Sequence, residues 1–375
     1  MIPSPGESDV FKSQEMEINM GPQHPSTHGV LRLKLRLEGE TVRHCYPIIG
    51  YLHRGIEKIC ENKTFAQGQV YTDRLDYCSA ISNNLGWAEA VEKLFGIEVP
   101  RRAQYLRTAL NELNRLNSHL VWLATHAMDI GALSMFLFCF RDREKLLDIF
   151  EAFCGARLTT TAMRIGGLQE DIPVGFDRMV ADALVGVRAG IQQYETMLSE
   201  NRIWLKRTVG VAVLRADDCL AWGVTGPILR AAGIDYDIRK AHPYAAYAEM
   251  DFDVPVRTEA DTYARYLVRM EEMRQSIRII EQCMGGLPEG PVMAKVPRLL
   301  KSDVGEVYHP TEAPKGEIGY YIVSEKGGVN PYRFHIRTPG FINVQAIPLM
   351  VKDSLVADVI AAIGTLDVVL GEIDR

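Results

Sequence analysis

The sequence predicts an α+β fold: a small N-terminal β layer, a large helical bundle and a mixed C-terminal part. Three observations carry this. Leu31, Leu33, Leu35 and Leu37 alternate with Arg32, Lys34, Arg36 and Glu38, the period-2 signature of a strand with one apolar and one charged face. From about Leu52 to Gly210 the apolar residues instead recur every three or four positions, the helical period. Beyond Gly210, short β-rich runs alternate with one more long helical stretch.

Residues 1–13, with Pro3, Pro5 and Gly6, read as a flexible tail, and 14–63 as a β-hairpin region. There, Glu38-Gly39-Glu40 turns the leucine strand into a second one over Thr41–Ile49. "RGIEKICENK" is a short amphipathic helix. Residues 64–210 read as the bundle. "TDRLDYCSAISNNLGWAEAVEKLFG" predicts one long helix stopping at Gly96, with Pro100 just beyond. Arg101–Ile130 predicts a longer one, whose stripe of Leu106, Leu110, Leu113, Leu120, Leu123 and Ala127 needs neighbours to cover it. Ser134–Phe153 and Phe176–Leu198 supply two more helices. Residues 211–375 read as a mixed region packed on the bundle. At its start "TVGVAVL" is strand-like. Thr258–Cys283 predicts a helix with Thr258 as N-cap and Glu259 and Asp261 in its first turn. "GGLPEGPVMAKVP" is a linker, "GYYIVS" and "YRFHIRTPG" form a strand pair about "EKGGVNP", and Leu355–Gly364 is a last helix.

Composition bounds the function. With 47% hydrophobic and 24% charged residues in 375, the chain can bury a large core and is not a disordered sequence. A net charge of -6 and the lack of any long Lys/Arg run argue against nucleic acid as a partner. The seven cysteines (Cys45, Cys60, Cys78, Cys139, Cys154, Cys219 and Cys283) include no CxxC pair. That argues against a disulfide framework, zinc ribbon or iron–sulfur cluster held by this chain, and for a reducing compartment. The N-terminus lacks the basic and apolar segments of a signal peptide. The longest apolar run, "ALSMFLFCF" from Ala132 to Phe140, is far short of the roughly 20 residues of a membrane span. It reads as a buried helix or an interface patch.

Four stretches mix titratable groups with Gly or Pro: "GPQHPSTHG", "YLHRGIEK", "YTDRLDYC" and "THAMDIGA". They offer His24, His28, His53, Arg54, Tyr77, Thr125 and Asp129. Residue by residue, the plainer readings compete. Two imidazoles in a Pro-rich loop are open to three roles: metal ligands, proton donors to a substrate, or turn residues that only make hydrogen bonds. Metal ligation is the least supported, because no HExxH frame surrounds them. A helical tyrosine such as Tyr77 commonly just packs. Asp129 is the exception, because an acid at a helix C-terminus opposes the macrodipole and needs a reason.

Taken together and in order, "GPQHPSTHGVLRL", "GYLHRGIEK", "DRLDY", "LNELNRLNSHL", "RIGGLQEDIP", "YYIVS" and "IGTLDVVLGEIDR" resemble one family, from about residue 17 to Arg375. It is the 49-kDa-type quinone-site subunit of respiratory complex I, the NADH:quinone oxidoreductase. The resemblance implies the fold of nickel–iron hydrogenase large subunits without their metal. It implies a peripheral protein on the cytoplasmic side of the inner membrane. Its neighbours would be the cluster-bearing B-type subunit, the C-type subunit and the membrane-embedded H-type subunit. The chain itself would hold no cofactor. Quinone is the substrate, a [4Fe–4S] cluster lies in the B-type neighbour, FMN and NADH bind elsewhere in the complex, and reduction is coupled to proton translocation. Matching motif positions makes His28 and Tyr77 the proton donors and Asp129 the partner of His28. His24, His53 and Thr125 would line the pocket, and Arg54 would lie near the neighbouring cluster.

The chemistry fits those residue types. A quinone takes two electrons and two protons, and its oxygens become basic as electrons arrive. A phenol of pKa ~10 and an imidazole of pKa ~6.5 can first bind it and then release protons, and a carboxylate behind the imidazole orients the ring and stabilises its charged form.

Two departures and three rivals follow. Where many members carry a histidine before "RxGG", this chain has Thr159, which does not titrate; the neighbouring cluster's potential is then expected to depend only weakly on pH. A slope near ~60 mV per pH unit in a redox titration would contradict that. The stretch from Gly285 to Glu306 is also shorter than in other members. A true nickel–iron hydrogenase would need four thiolates. The early motif instead reads Arg74-Leu75-Asp76-Tyr77-Cys78-Ser79, and the late one, Asp367–Glu372, has no cysteine. A large subunit of a related ferredoxin-dependent membrane oxidoreductase and a non-catalytic scaffold of the same complex are the other two.

Overall fold

The computed structural model describes residues 15–375, so the tail read over 1–13 lies outside the described residues. The architecture is α+β, as the patterning predicts. Three antiparallel strands open it: β1 (Glu15–Met20), β2 (Arg32–Glu38) and β3 (Thr41–Ile48), in that order across the sheet. Leu33, Leu35 and Leu37 pair with Pro47, Cys45 and Val42, and the alternation puts all three leucines inside. Strand β1 is an addition to the predicted hairpin. It is an edge strand whose Met16 stays exposed, so its sequence carries little alternation of burial.

Helices α1 (Ile56–Glu61) and α2 (Phe65–Thr72) lead to α3 (Ala80–Phe95). Here the single long helix is corrected. Residues 73–79 leave the helix, and Tyr77–Ser79 form a 3-10 turn. The cause is Asp76, whose carboxylate accepts from the Cys78 N–H at 3.1 Å and from Ser79 Oγ at 2.5 Å, an alternative to helical bonding that short acids favour. The predicted stop at Gly96 holds, with the glycine left-handed at φ 63°.

α4 (Arg101–Asp129) is the central element, 29 residues and about 43 Å long. α5 (Leu133–Cys154) packs along it, followed by the short pair β4 (Met163–Arg164) and β5 (Gly167–Leu168) and by α6 (Phe176–Leu198). Next come α7 (Arg202–Thr208), α8 (Ala216–Trp222), α9 (Pro227–Ala231) and α10 (Ile238–Ala241). The strand read into "TVGVAVL" does not form. Thr208 ends α7, and Gly210 and Ala212 both take positive φ, which breaks any extended run. α11 (Thr262–Gly285) closes the bundle. Its N-cap is Asp261, which accepts from the Ala264 N–H at 2.7 Å, and not Thr258; left-handed Ala260 prevents an earlier start.

A second sheet, β6 (Gly305–Ala313), β7 (Gly316–Ser324) and β8 (Arg333–Arg337), lies against α3. Trp87 there packs edge-on to Phe334 at 4.8 Å, and Tyr320 donates to the Asn83 carbonyl at 2.9 Å. β6 is an addition to the predicted strand pair: Pro310, which weakens the strand signal in the sequence, is tolerated here because β6 is an edge strand, and it pairs with Gly319 in register. α12 (Pro339–Gln345), α13 (Ile347–Val351), α14 (Val356–Leu366) and α15 (Leu370–Asp374) finish the chain. Val359, Ile363, Leu366, Leu370 and Ile373 share one core cluster with the leucines of β2, so both ends of the described chain meet.

Candidate functional site

The His28 loop is shaped by its own backbone. Pro25–Thr27 form a 3-10 turn in which His24 Nδ1 accepts from the Ser26 N–H at 3.2 Å and Thr27 Oγ1 donates to the His24 carbonyl at 2.8 Å. His24 is thus an exposed turn residue. His28 ends the turn at φ 51° and its Nε2 lies 2.6 Å from Asp129 Oδ2, with only 13% and 7% of the two side chains exposed. Asp129 is the last residue of α4, so the pairing supplies the reason the sequence required for an acid at that end. One turn back, His126 is buried between the rings of Trp122 and Trp204. Burial, with the charges of Arg269, His28 and Arg265, lowers it to about 3 and keeps it neutral.

Tyr77 stands on the 3-10 turn rather than inside a helix, and 40% of it is exposed. Burial of the remainder is the main cause that raises its phenol, with the charges of Cys78 and Asp76 adding and Lys315 opposing. Leu370 and Gly371 join the two stations. A Cβ on Gly29, beside His28, would touch Leu370 at 3.6 Å, and one on Gly371 would overlap the Leu75 carbonyl, two residues before Tyr77. Arg54 fixes this junction by donating to the carbonyls of Arg74 at 2.8 Å and Gly371 at 2.6 Å.

The other candidates make contacts of their own. His53 Nδ1 lies 2.6 Å from the Asp374 carbonyl, in a surface cleft with Glu57, Arg333, Phe341 and Arg375. Thr125 Oγ1 donates back to the carbonyl of Val121 at 3.0 Å. Thr159 is half-buried in the loop after α5. Among the described residues no group of three His, Cys, Asp or Glu side chains is placed to hold a metal ion, and all seven cysteines are unpaired.

The model of the family described as "Respiratory-chain NADH dehydrogenase, 49 Kd subunit" matches residues 129–303 and 297–375. The second of the two D-type subunits of NADH-quinone oxidoreductase named in Solibacter usitatus is 54% identical over 98% of this chain and all of its own length. The D-type subunit of Geotalea uraniireducens is 50% identical over 98% of this chain, and a D-type subunit of Thermodesulfovibrio yellowstonii 46% over 99%, each over its full length. The chain belongs to this family. It is a member of the D-type, or 49-kDa, group of NADH-quinone oxidoreductase subunits, and so part of a multi-subunit respiratory oxidoreductase of the complex I type. No helix among its described residues is long and apolar enough to cross a membrane.

In this 49-kDa-type subunit the motif reading missed a buried ionic core. Glu112 on α4 is bound by Arg115 at 3.2 Å, Arg239 at 3.1 Å, Tyr247 at 2.5 Å and Ser276 at 2.6 Å. Arg230 pairs with Glu272 at 2.6 Å and Glu312 at 2.9 Å, and His119 lies 2.9 Å from Glu272. Glu112, Arg115 and His119 in "LNELNRLNSHL" were the available signal. They sit at steps of three and four from one another, so they share one face of α4, beside the leucine stripe, and that face is buried too. A second cluster, around Lys315 of "EAPKGE", left no local trace because its members come from separated segments.

Proposed function

We propose that His28, Asp129 and Tyr77 form the proton-donating end of a quinone-reduction site. The 2.6 Å pair carries this reading: an imidazole from the N-terminal loop is locked to a carboxylate on the central helix, in a largely dry setting. The names of the relatives supply the reaction, electrons from NADH to a quinone. Electrons reach the quinone from a donor held by a neighbouring protein, for which the family resemblance gives the cluster-bearing B-type subunit. The C-type and H-type subunits are the other neighbours, and the coupling is to proton translocation. This chain then handles the protons. Each quinone oxygen gains basicity as it is reduced; the Tyr77 hydroxyl donates to one oxygen and the His28 ring to the other. Asp129 is a positioning residue that fixes the ring and stabilises its charge. Leu133 and Leu137, exposed on the first turns of α5 just past Asp129, give an apolar wall of the kind an isoprenoid tail requires.

Tyr77→Phe in the assembled complex tests it, because the ring stays and the transferable proton goes. NADH:quinone turnover is expected to fall at least tenfold while NADH oxidation by an artificial acceptor is retained. Unchanged turnover with both short-tailed and long-tailed quinones would reduce the role of this chain to that of a scaffold.

A further inference from the structure

A cavity of about 360 Å3 opens between α2, the β4–β5 pair and the loop that follows α11. Clefts of this size hold a ligand or the side chains of a partner. Its floor is apolar: Phe65 and Ile165 are buried there, and Val296 and Leu300 pack on the same cluster. Leu299 stands at the rim, 49% exposed. Arg164 and Arg298 bring two positive charges to the opening, and among the described residues Arg164 donates only to the neutral Gln169 amide, at 2.8 Å.

The loop is pinned at its two ends and free between them. At one end the Leu168 N–H donates to the Val292 carbonyl at 2.9 Å and the Ala294 N–H to the Gly166 carbonyl at 2.8 Å; at the other the Ser302 N–H donates to the Gly328 carbonyl at 2.9 Å. Among the described residues, the main chain of 295–301 makes no hydrogen bond, and Lys295, Arg298 and Lys301 have no carboxylate partner. The family match is interrupted at the same place: its two stretches, 129–303 and 297–375, meet at 297–303. The Geotalea alignment runs over 391 positions, whereas 98% of 375 residues is about 368, so about 23 positions have no residue in this chain. The 54%-identical Solibacter relative aligns over 369 positions at the same coverage, and so is shortened alike. Polypeptide that other members carry is thus missing from the loop that walls the cavity.

We propose that this cavity seats a segment of a neighbouring subunit of the complex, which stands in for the missing stretch. That segment combines apolar and acidic residues. Its apolar side chains fill the floor formed by Phe65, Ile165, Val296 and Leu300, and its carboxylates meet Arg164 and Arg298. Three features select such an occupant. Cations at the opening with no carboxylate of their own attract an acidic chain and repel a basic one. The idle peptide groups of 295–301 find hydrogen-bond partners on another main chain and none on a lipid tail. What the loop lacks is polypeptide, and the multi-subunit assembly to which the chain belongs supplies other chains. None of this depends on the quinone-site reading, and turnover is not its readout.

The test places the photo-crosslinking residue p-benzoylphenylalanine at Leu299 in the complex assembled and purified with its own subunits, and identifies the linked peptide by mass spectrometry. The expected product is a peptide of another subunit that carries apolar residues together with Asp or Glu. Arg298→Glu should lower its yield at least tenfold and Arg298→Lys should keep it, because only the first turns an attraction into a repulsion. Inserting between Leu300 and Lys301 the extra residues of the Geotalea relative should fill the cavity from within and abolish the product. A link confined to this chain, a link to lipid or to a basic peptide, no link at all, or an unchanged yield in either Arg298→Glu or the insertion overturns the docking site. Should the Leu299 label or Arg298→Glu block assembly, the label moves to Met293, 37% exposed at the same cavity, in the otherwise wild-type complex, and the identity of its linked peptide decides in the same way.

Discussion

Changing Asp129 to Asn removes one charge at nearly constant shape, and the structure sets how much that should matter. The carboxylate is 2.6 Å from His28 Nε2, and little of either side chain reaches solvent, so screening is weak. A hydrogen bond to a charged group in such a setting contributes about 1.5–3 kcal/mol. If His28 becomes a donor with developing charge on its ring, that amount is withdrawn from the reaction barrier, and at 1.36 kcal/mol per decade turnover should drop about ten- to hundredfold. The assay is NADH-driven reduction of a short-tailed and a long-tailed quinone by the assembled complex, with an artificial acceptor upstream of the quinone as the control for assembly. Turnover within about twofold of wild type, with both quinones and an intact control, would refute the claim that the pair works in proton donation.

Further outcomes follow from other contacts. Gly371→Ala drives a methyl into the Leu75 carbonyl, so the Tyr77 turn must shift; hydrogen-exchange protection over 74–79 should fall together with quinone turnover, and unchanged protection would contradict the close approach. Glu272→Gln removes one of the carboxylates on buried Arg230, which keeps Glu312, and the charged partner of His119, and should cost about 1.5–3 kcal/mol, read as a lower thermal inactivation midpoint of the complex. Asp73 carries a pH dependence. Burial raises its carboxyl to about 7, against the hydrogen bond from Asn84 and the charge of Arg74, whereas the unfolded value is near ~3.9. A group raised on folding contributes stability in full below its unfolded pKa and loses it as pH climbs through the folded one. Protection of α2 should therefore decline from about pH 4 to about pH 7 in the wild type and stay flat in Asp73→Asn; a flat wild-type profile would exclude the effect.

Particular elements show what local pattern reveals. The leucine strand, the span of α4, α6 from Phe176 to Leu198 and the stop of α3 at Gly96 were legible, because each depends on one periodicity or one residue with special φ. The long helix drawn through Tyr77 was not. Helical spacing continues through 73–79, and what interrupts it is Asp76, pulled toward Lys315 from a strand pair more than 200 positions away in the chain. Likewise "TVGVAVL" has strand composition but no partner strand among the described residues, and left-handed Ala212 leaves it a loop.

The sequence by itself determined the class of the fold, the family, and the residue types that could serve a quinone: an imidazole, a phenol and an acid at an unfavourable helix end. Those properties reside in short contiguous stretches whose chemistry does not depend on their neighbours. Only the tertiary structure decided that His28 is held by Asp129 while His24 and His53 are engaged elsewhere, that Tyr77 stands exposed on a turn, and that Lys315 is buried between Asp76 and Asp367. Pairing and burial are properties of distance in space, and the charge state of a carboxyl is set by the neighbours that folding brings to it.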